Sequence, residues 1–425
     1  MTSFTADTYQ NMYLAVGGTQ VDAVVRVRAT GTDGSAGGAA AAEVILIDVS
    51  GSMNYPRSKI RSARAATAAA IDCIRDGVHF GVVAGTEVAE EIYPGEGGLV
   101  PASDVTRSEA RGAVNGLKAG GGTAIGQWLT RANALFEGHP HAIHHAILLT
   151  DGQNQDETPE ELDATLAECA GRFQCDCRGV GADWEVGELR EIASRLLGDV
   201  GLIREPEQMT GDFTDLMRRA MGRAVNDVAL RLWTPNGAHV RFVKQVEPET
   251  EDITARRGDV SEREGDYPTG AWGDETRDYH VCIEVPARAV GDRMLACRLK
   301  LVVDDEEVSE AKILAEWTDD EALSTQLNQQ VVAASGYTDY AQLAQEGVAA
   351  LREGDTDTAT NKLGAAVKIA HALRDEKKLD ELSLVVDIED AATGKVQPKK
   401  KLDELDLMEV DAESTKTVRR PRPAS

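Results

Sequence analysis

The chain has 425 residues, of which 42 % are hydrophobic and 4 % aromatic, and its formal net charge is −27 at pH 7. This length predicts two or three domains. The acidity argues against sequence-independent binding to nucleic acid or to an anionic membrane, because both reward clustered Lys and Arg. The sequence shows neither a signal-peptide pattern nor the roughly 20 apolar residues that a membrane span needs. Six scattered cysteines without a CxxC pair favour reduced thiols. We therefore expect a cytoplasmic protein.

Residues 1–42 are predicted to contain a strand segment and a linker. The segment "VDAVVRVRAT" has strand character, but no helical pattern lies beside it. We expect this strand to complete a β-domain that lies later in the chain. The small residues of "GTDGSAGGAAAA" are typical of a flexible linker.

Residues 43–222 alternate between short apolar runs and helical periodicity. The run "AEVILID" is apolar on both faces, which predicts a fully buried strand. Further along, Thr158 and Glu161 predict the capped start of a helix, with Pro159 at its first position. This alternation predicts a Rossmann-like α/β domain, with a largely parallel sheet and helices on both faces.

The pattern changes after this domain. Residues 223–317 alternate with period two, which predicts an antiparallel, β-sandwich-like domain. Within it, the Pro-Asn-Gly segment of "VALRLWTPNGAHVRFVKQV" predicts a hairpin turn. Residues 318–386 are predicted to form a helical hairpin that turns at Gly354 and Asp355. Residues 387–425 are charged and poor in aromatics, so we expect a mostly disordered tail, above all after Val410.

Oxygen-bearing side chains follow three predicted strands or turns of the α/β domain. They are Asp48, Ser50 and Ser52 after "VILI", Thr123 after a glycine run, and Asp151 after "AILLT". Asp48 and Ser50 also suit an ordinary capped turn. In a parallel sheet, however, such loops meet at the carboxyl ends of the strands. Hydroxyls with two carboxylates suit Mg²⁺, and the absence of His and Cys from these loops argues against zinc.

These five positions make the sequence resemble a von Willebrand factor type A domain. The pattern DxSxS is matched by Asp48, Ser50 and Ser52, the separate threonine by Thr123, and the final aspartate by Asp151. The flanks "ILIDVSGSM" and "LLTDG" match as well. The resemblance, to the bacterial and cytoplasmic type, implies an intact metal-ion-dependent adhesion site for Mg²⁺ or Mn²⁺. It also implies direct metal contacts from Ser50, Ser52 and Thr123, and contacts through water from Asp48 and Asp151.

The same resemblance implies a function in protein binding. A carboxylate of a partner protein would complete the metal coordination, and the chain would serve as a scaffold or adaptor in a regulatory complex. A Mg²⁺-dependent enzyme is an alternative, but "AGGGTAIGQ" lacks the Gly-Lys-Ser/Thr ending of a phosphate-binding loop and no GxSxG is present. We therefore do not expect an enzyme. A further alternative is an adaptor subunit of an AAA+ ATPase or chelatase-type complex, whose ATPase module would belong to another chain.

Two other segments raise hypotheses. Four histidines lie in "GHPHAIHH", and a solvated turn is a better interpretation of them than a metal site, because no Cys or carboxylate stands at ligand spacing. In the tail, Thr415 and Thr417 precede Arg419, Arg420 and Arg422. Exposed threonines in a flexible, basic segment suit a Ser/Thr kinase. The spacing from Thr415 to Val418, three residues later, resembles the phosphothreonine-plus-three pattern read by forkhead-associated domains.

Overall fold

A computed structural model describes residues 2–31, 40–95 and 97–417. Its contacts divide these residues into two compact units. The first unit contains residues up to 31 and from 226 onward, and the second contains residues 40–225. Across the described ranges, no helix is both long enough and apolar enough to cross a membrane. All six cysteines are unpaired, as their spacing predicted.

Three strands precede the α/β unit and belong to the first unit: β1 (Ser3–Gln10), β2 (Tyr13–Ala15) and β3 (Gln20–Thr30). The α/β unit itself then follows as β4 (Ala41–Asp48), α1 (Ser58–Cys73), β5 (His79–Gly85), β6 (Ala89–Tyr93), β7 (Val100–Pro101), α2 (Asp104–Asn115), α3 (Ile125–Phe136), β8 (Ile143–Thr150), α4 (Pro159–Cys169), β9 (Gln174–Val180), α5 (Val186–Arg195), β10 (Val200–Ile203) and α6 (Met209–Met221). The predicted Rossmann-like α/β fold is thus confirmed.

The sheet of this unit has the strand order β10-β9-β8-β4-β5-β6, with β7 also paired to β5. Pairing is parallel from β10 to β5 and antiparallel at β6 and β7. All eight residues of β4 are buried, which suits a central strand that helices cover on both faces. Chain order reverses beside β4, because β5 lies on one side and β8 on the other. This is the point at which open α/β sheets bind their ligands.

The chain then returns to the first unit with β11 (Val225–Trp233), β12 (His239–Glu247), β13 (Glu251–Asp252), β14 (Gly258–Ser261), β15 (Glu264–Trp272), β16 (Thr276–Glu284), β17 (Arg293–Val303) and β18 (Glu306–Thr318). Two mainly antiparallel sheets result, in the orders β1-β3-β16-β12-β13 and β14-β15-β11-β17-β18-β2. The N-terminal strand β3 pairs with β16 over nine residue positions, from Thr276 opposite Arg28 to Glu284 opposite Gln20. The strand expected to complete a later β-domain therefore does so.

The Pro-Asn-Gly hairpin prediction is wrong. Strands β11 and β12 flank Pro235, Asn236 and Gly237, yet they belong to different sheets. Gly237 has the positive φ of 79° that such a turn requires, so the local signal is real. The two strands find other partners, β17 for β11 and β16 for β12, so the turn connects two sheets instead of one ladder.

The C-terminal region contains α7 (Glu321–Ser324), α8 (Gln329–Glu353), α9 (Thr356–Leu373), α10 (Glu376–Leu382), β19 (Val386–Asp390), β20 (Lys395–Pro398) and α11 (Glu404–Glu413). Helices α8 and α9 form the predicted hairpin, and Gly354 ends α8 in the left-handed conformation with φ 78°. Asp355 caps α9 by accepting a hydrogen bond from the Thr358 backbone N–H.

The prediction of a mostly disordered tail is wrong for residues 387–417. Strands β19 and β20 form a hairpin, and α11 follows it. Val396, Leu407 and Val410 are buried against residues of α8 and α9 in one hydrophobic core. The apolar side chains of this charged segment thus pack on α8 and α9, and this burial stabilises the segment in a folded form. Residues 418–425, with Arg419, Arg420 and Arg422, lie outside the described residues.

Candidate metal site

Asp48 is the last residue of β4 and is fully buried. Its Oδ1 accepts a hydrogen bond from the Ser50 backbone N–H at 2.7 Å, and its Oδ2 accepts one from Thr150 Oγ1 at 2.6 Å. Burial raises the pKa of Asp48 to about 6, against the hydrogen bonds from Ser50 and Thr150 and with the help of the nearby Asp151 charge. The two hydrogen bonds hold the Asp48 carboxylate in one orientation at the end of the central strand.

Hydroxyl groups connect this strand end to Asp151. Ser50 Oγ lies 2.9 Å from Ser52 Oγ, and Ser52 Oγ donates to Asp151 Oδ1 at 2.6 Å. Asp151 directly follows β8, the neighbour of β4, and is fully buried. Four of the five predicted positions thus form one continuous polar cluster at the carboxyl ends of two adjacent strands.

The glycine loop, which contains Gly120, Gly121 and Gly122 and leads to Thr123, is joined through its backbone to the loop that follows β4. The Gly120 N–H donates to the Val49 carbonyl at 2.7 Å, and the Gly51 N–H donates to the Gly121 carbonyl at 3.0 Å. The Thr123 N–H donates to Asp156 Oδ2 at 2.7 Å. These bonds fix the loop that carries Thr123.

Two glycines leave room for this arrangement. A Cβ at Gly122 would lie 1.9 Å from Asp156 Oδ2, so the bond that holds Thr123 requires glycine there. A Cβ at Gly152 would lie 3.3 Å from Ser52 Oγ and 3.9 Å from Thr123 Oγ1. The Ser52 and Thr123 hydroxyls therefore both lie beside Gly152, which places Thr123 next to the cluster formed by the other four predicted residues.

The chemistry of this cluster suits a hard divalent cation. It offers three hydroxyls and two carboxylates, from Ser50, Ser52, Thr123, Asp48 and Asp151. Oxygen ligands with few carboxylates are what Mg²⁺ prefers. Across the described residues, no group of three or more His, Cys, Asp or Glu side chains is arranged to hold a metal. The three hydroxyls and two carboxylates of this cluster fit a hard divalent cation.

Sequence reasoning missed two charged residues at this site. Lys59, in the first turn of α1, places its Nζ 2.6 Å from Asp151 Oδ2 and 3.4 Å from Asp183 Oδ2. Asp183 lies in the loop between β9 and α5. A signal was present in part, since Lys59 follows the DxSxS motif closely, but the aspartates that it contacts lie 92 and 124 positions away in the chain.

The histidine cluster is not a solvated turn throughout. His144 and His145 lie inside β8, and His145 is buried between Glu43 and Asp176. Among the four histidines of this segment, His141 is exposed, whereas His139 and His144 are partly buried. The solvated interpretation is wrong for His145, because the carboxylates that hold it come from the neighbouring strands β4 and β9.

The candidate phosphorylation sites are not in a flexible segment. The Thr415 carbonyl accepts a hydrogen bond from the Thr250 N–H at 2.7 Å. Thr417 donates from its N–H to the Pro248 carbonyl and from Oγ1 to the Val246 carbonyl, both at 2.9 Å. The Thr417 hydroxyl is therefore engaged, and the premise of free, exposed threonines is wrong for the described residues.

Comparisons with known proteins agree with this fold. The family model of the von Willebrand factor type A domain matches residues 42–200. The structure of a von Willebrand factor type A protein from Catenulispora acidiphila is 46 % identical, covers 98 % of this chain and 97 % of that chain, and has a TM-score of 0.94.

Two more distant structures are similar in fold alone. The ArnB paralog VWA2 from Sulfolobus acidocaldarius is 17 % identical, with a TM-score of 0.60, and covers 97 % of this chain and 98 % of that chain. The human COPII-coat protein Sec24c is 12 % identical, with a TM-score of 0.56, and covers 89 % of this chain and 58 % of that chain. A search of curated proteins returned no match.

Proposed function

The chain belongs to the von Willebrand factor type A family, and we propose that it binds a protein partner through Mg²⁺ or Mn²⁺ held at the carboxyl ends of β4 and β8. The observation that carries this proposal is the hydrogen-bonded cluster of Asp48, Ser50, Ser52 and Asp151, with the Thr123 hydroxyl beside it at Gly152. The loops of a rigid parallel sheet supply all five side chains, so little reorganisation is needed to hold a metal.

In this proposal the three hydroxyls of Ser50, Ser52 and Thr123 hold the metal directly. Asp48 holds the Ser50 backbone and Asp151 accepts the Ser52 hydroxyl, and both carboxylates would contact the metal through water. A bound divalent cation supplies a Lewis-acidic position for an Asp or Glu carboxylate of the partner. Because the site itself provides two carboxylates, Asp48 and Asp151, a third carboxylate from the partner adds a negative charge that attracts the metal. The chain would then act as a cytoplasmic scaffold or adaptor in a regulatory complex.

Partner binding is expected to depend on the metal. An affinity pull-down from native cells with the full-length chain should retain a specific protein in Mg²⁺ and release it in EDTA. Asp48→Ala should lose the same protein in Mg²⁺, because it removes the carboxylate that orients Ser50 and Thr150. Retention of the partner by both proteins in EDTA would reject metal-dependent binding.

We also propose that the chain is not an enzyme. The glycine loop donates its Gly122 and Thr123 backbone N–H groups to Glu87 and Asp156, so these groups are taken by carboxylates and not free to cradle phosphate. The purified chain is therefore expected to show no ATP hydrolysis with Mg²⁺. Steady ATP turnover that is lost in Asp48→Ala and Asp151→Ala would support an enzyme instead.

Phosphorylation of the C-terminal threonines stays a prediction. A phosphate on Thr417 would have to displace the hydrogen bond that its Oγ1 donates to the Val246 carbonyl. A kinase would therefore need the segment around Thr415 and Thr417 to detach first from residues 246–250. A forkhead-associated reader would require the same detachment.

A further inference from the structure

A buried lysine lies against one carboxylate of the candidate metal site. Lys59 is 5 % exposed, and its Nζ lies 2.6 Å from Oδ2 of the fully buried Asp151. The same ammonium lies 3.4 Å from Oδ2 of Asp183, whose side chain is 72 % exposed. One cation is thus shared between a carboxylate inside the site and a carboxylate in contact with solvent.

The contact between Lys59 and Asp151 balances the charge of a buried carboxylate. Asp48 and Asp151 are both fully buried, and burying carboxylates without a counter-charge is costly. Within the described ranges, Lys59 is the cation paired with Asp151. Asp151 also accepts the Ser52 hydroxyl through its other oxygen, so each of its oxygens contacts a polar group of the chain itself.

A divalent cation held by the hydroxyls would disturb that arrangement. The Ser52 hydroxyl, a proposed ligand, bonds the same carboxylate that Lys59 contacts. The ammonium and the metal would repel each other across a short distance in a poorly solvated region, and both would be attracted to Asp151. Asp183 offers the ammonium a second carboxylate, farther from the hydroxyls and solvated.

We infer that Lys59 is the counter-cation of Asp151 when no metal is bound. The Lys59 ammonium competes with the divalent metal for Asp151 and moves toward Asp183 when the metal binds. Lys59 then lowers the metal affinity while it stabilises the empty site. This inference rests on the proposed function, because it names the residue that sets the affinity of the same metal site.

The test uses the full-length chain, Mn²⁺ as the probe and calorimetric titration. Lys59→Met, which removes the charge but keeps an unbranched side chain, is expected to bind Mn²⁺ about ten- to a hundredfold more tightly, the size typical of an outer partner of a metal site. Its thermal transition in EDTA should be lower than that of the wild type and should recover when Mn²⁺ is added. Lys59→Arg keeps the charge and should retain an affinity close to that of the wild type.

Lys118→Met is the matched control, because it removes the same charge from an exposed position in the loop that leads to Thr123. It should leave the Mn²⁺ affinity and the transition in EDTA nearly unchanged. A tightening as large as that of Lys59→Met would mean that total charge, not the Asp151 contact, sets the affinity, and would overturn the inference.

A second variant covers the case in which Lys59→Met fails to fold. Asp183→Asn changes an exposed side chain and should preserve the fold. Because this variant removes the negative charge of Asp183, the Lys59 ammonium should stay on Asp151, and Mn²⁺ binding should be weaker than in the wild type. Where Lys59→Met does fold, adding Asp183→Asn to it should change the Mn²⁺ affinity much less than Asp183→Asn changes that of the wild type.

Two failures can be told apart. If the wild type binds Mn²⁺ but Lys59→Met binds it equally or more weakly, or Asp183→Asn has no effect, the inference is overturned and the proposed metal site stands. If the wild type itself binds no Mn²⁺, the proposed function is rejected and the inference with it.

Discussion

Replacing Ser50 and Thr123 together by alanine is expected to lower Mg²⁺ and Mn²⁺ affinity more than about 100-fold, beyond the 10–100-fold typical of outer partners alone. The two substitutions remove two of the three proposed hydroxyl ligands and leave Asp48 and Asp151 in place. Few other ligands are available, because the residues of the described ranges form no alternative cluster of His, Cys, Asp or Glu that could hold a metal.

The experiment is a calorimetric titration of the full-length chain with Mn²⁺. The matched control is Ser108→Ala with Thr130→Ala, an exposed serine on α2 and an exposed threonine on α3. Both doubles should fold, because each lost hydroxyl contributes only about 1 kcal/mol. Equal Mn²⁺ affinity in both would contradict the assignment of Ser50 and Thr123 as ligands.

The positions of the candidate site residues at the strand ends were largely predictable, because each part of the site is local in sequence. A run of buried aliphatic residues predicts a central strand, and the residues directly after it must lie at its carboxyl end. Asp48 and Asp151 follow β4 and β8 in this way, and these strands are neighbours. The start of α4 was predictable for the same reason, since Thr158 and Glu161 cap each other across three residues.

The parts that could not be predicted depend on distant contacts. Pro235, Asn236 and Gly237 form a turn, but β11 pairs with β17 and β12 with β16, and residues paired in this way lie more than 30 positions apart in the chain. Residues 387–417 are charged enough to suggest disorder, yet Leu407 and Val410 pack on helices that begin at Gln329. Composition describes a segment alone, whereas order depends on the apolar surface that the rest of the chain offers it.

A buried charged network is the strongest example of such distant contacts. Glu43 on β4, His145 on β8 and Asp176 on β9 are each at most 3 % exposed. His145 Nδ1 lies 2.8 Å from Glu43 Oε2, and Nε2 lies 2.9 Å from Asp176 Oδ2. Arg223 adds a second cation, 3.3 Å from Asp176. Burial by itself lowers the pKa of His145, but Glu43 and Asp176 outweigh burial and the charge of Arg223, so the pKa is raised above 6.5.

His145→Leu is expected to reduce the free energy of unfolding by about 3–5 kcal/mol, the usual cost of removing one member of a buried ion pair. Leucine fills the space but leaves Glu43 buried without its partner and Asp176 with Arg223 as its remaining close cation. His141→Leu, at an exposed position of the same segment, is the matched control and should change stability by less than about 0.5 kcal/mol. Scanning calorimetry of the full-length chain measures both, and equal effects would show that the network contributes little.

The pH dependence separates the charge of His145 from its packing. Because the folded pKa is raised above 6.5, the imidazolium contributes its full stability below pH 6.5 and loses it as the pH rises through the folded pKa. The wild type should therefore lose stability as the pH rises above 6.5 and through the folded pKa of His145. Glu43→Gln combined with His145→Leu removes the imidazole and its carboxylate partner, leaving Asp176 with Arg223. This double variant should show a clearly smaller decline over the same range, and a decline as steep as that of the wild type would mean that His145 is held neutral.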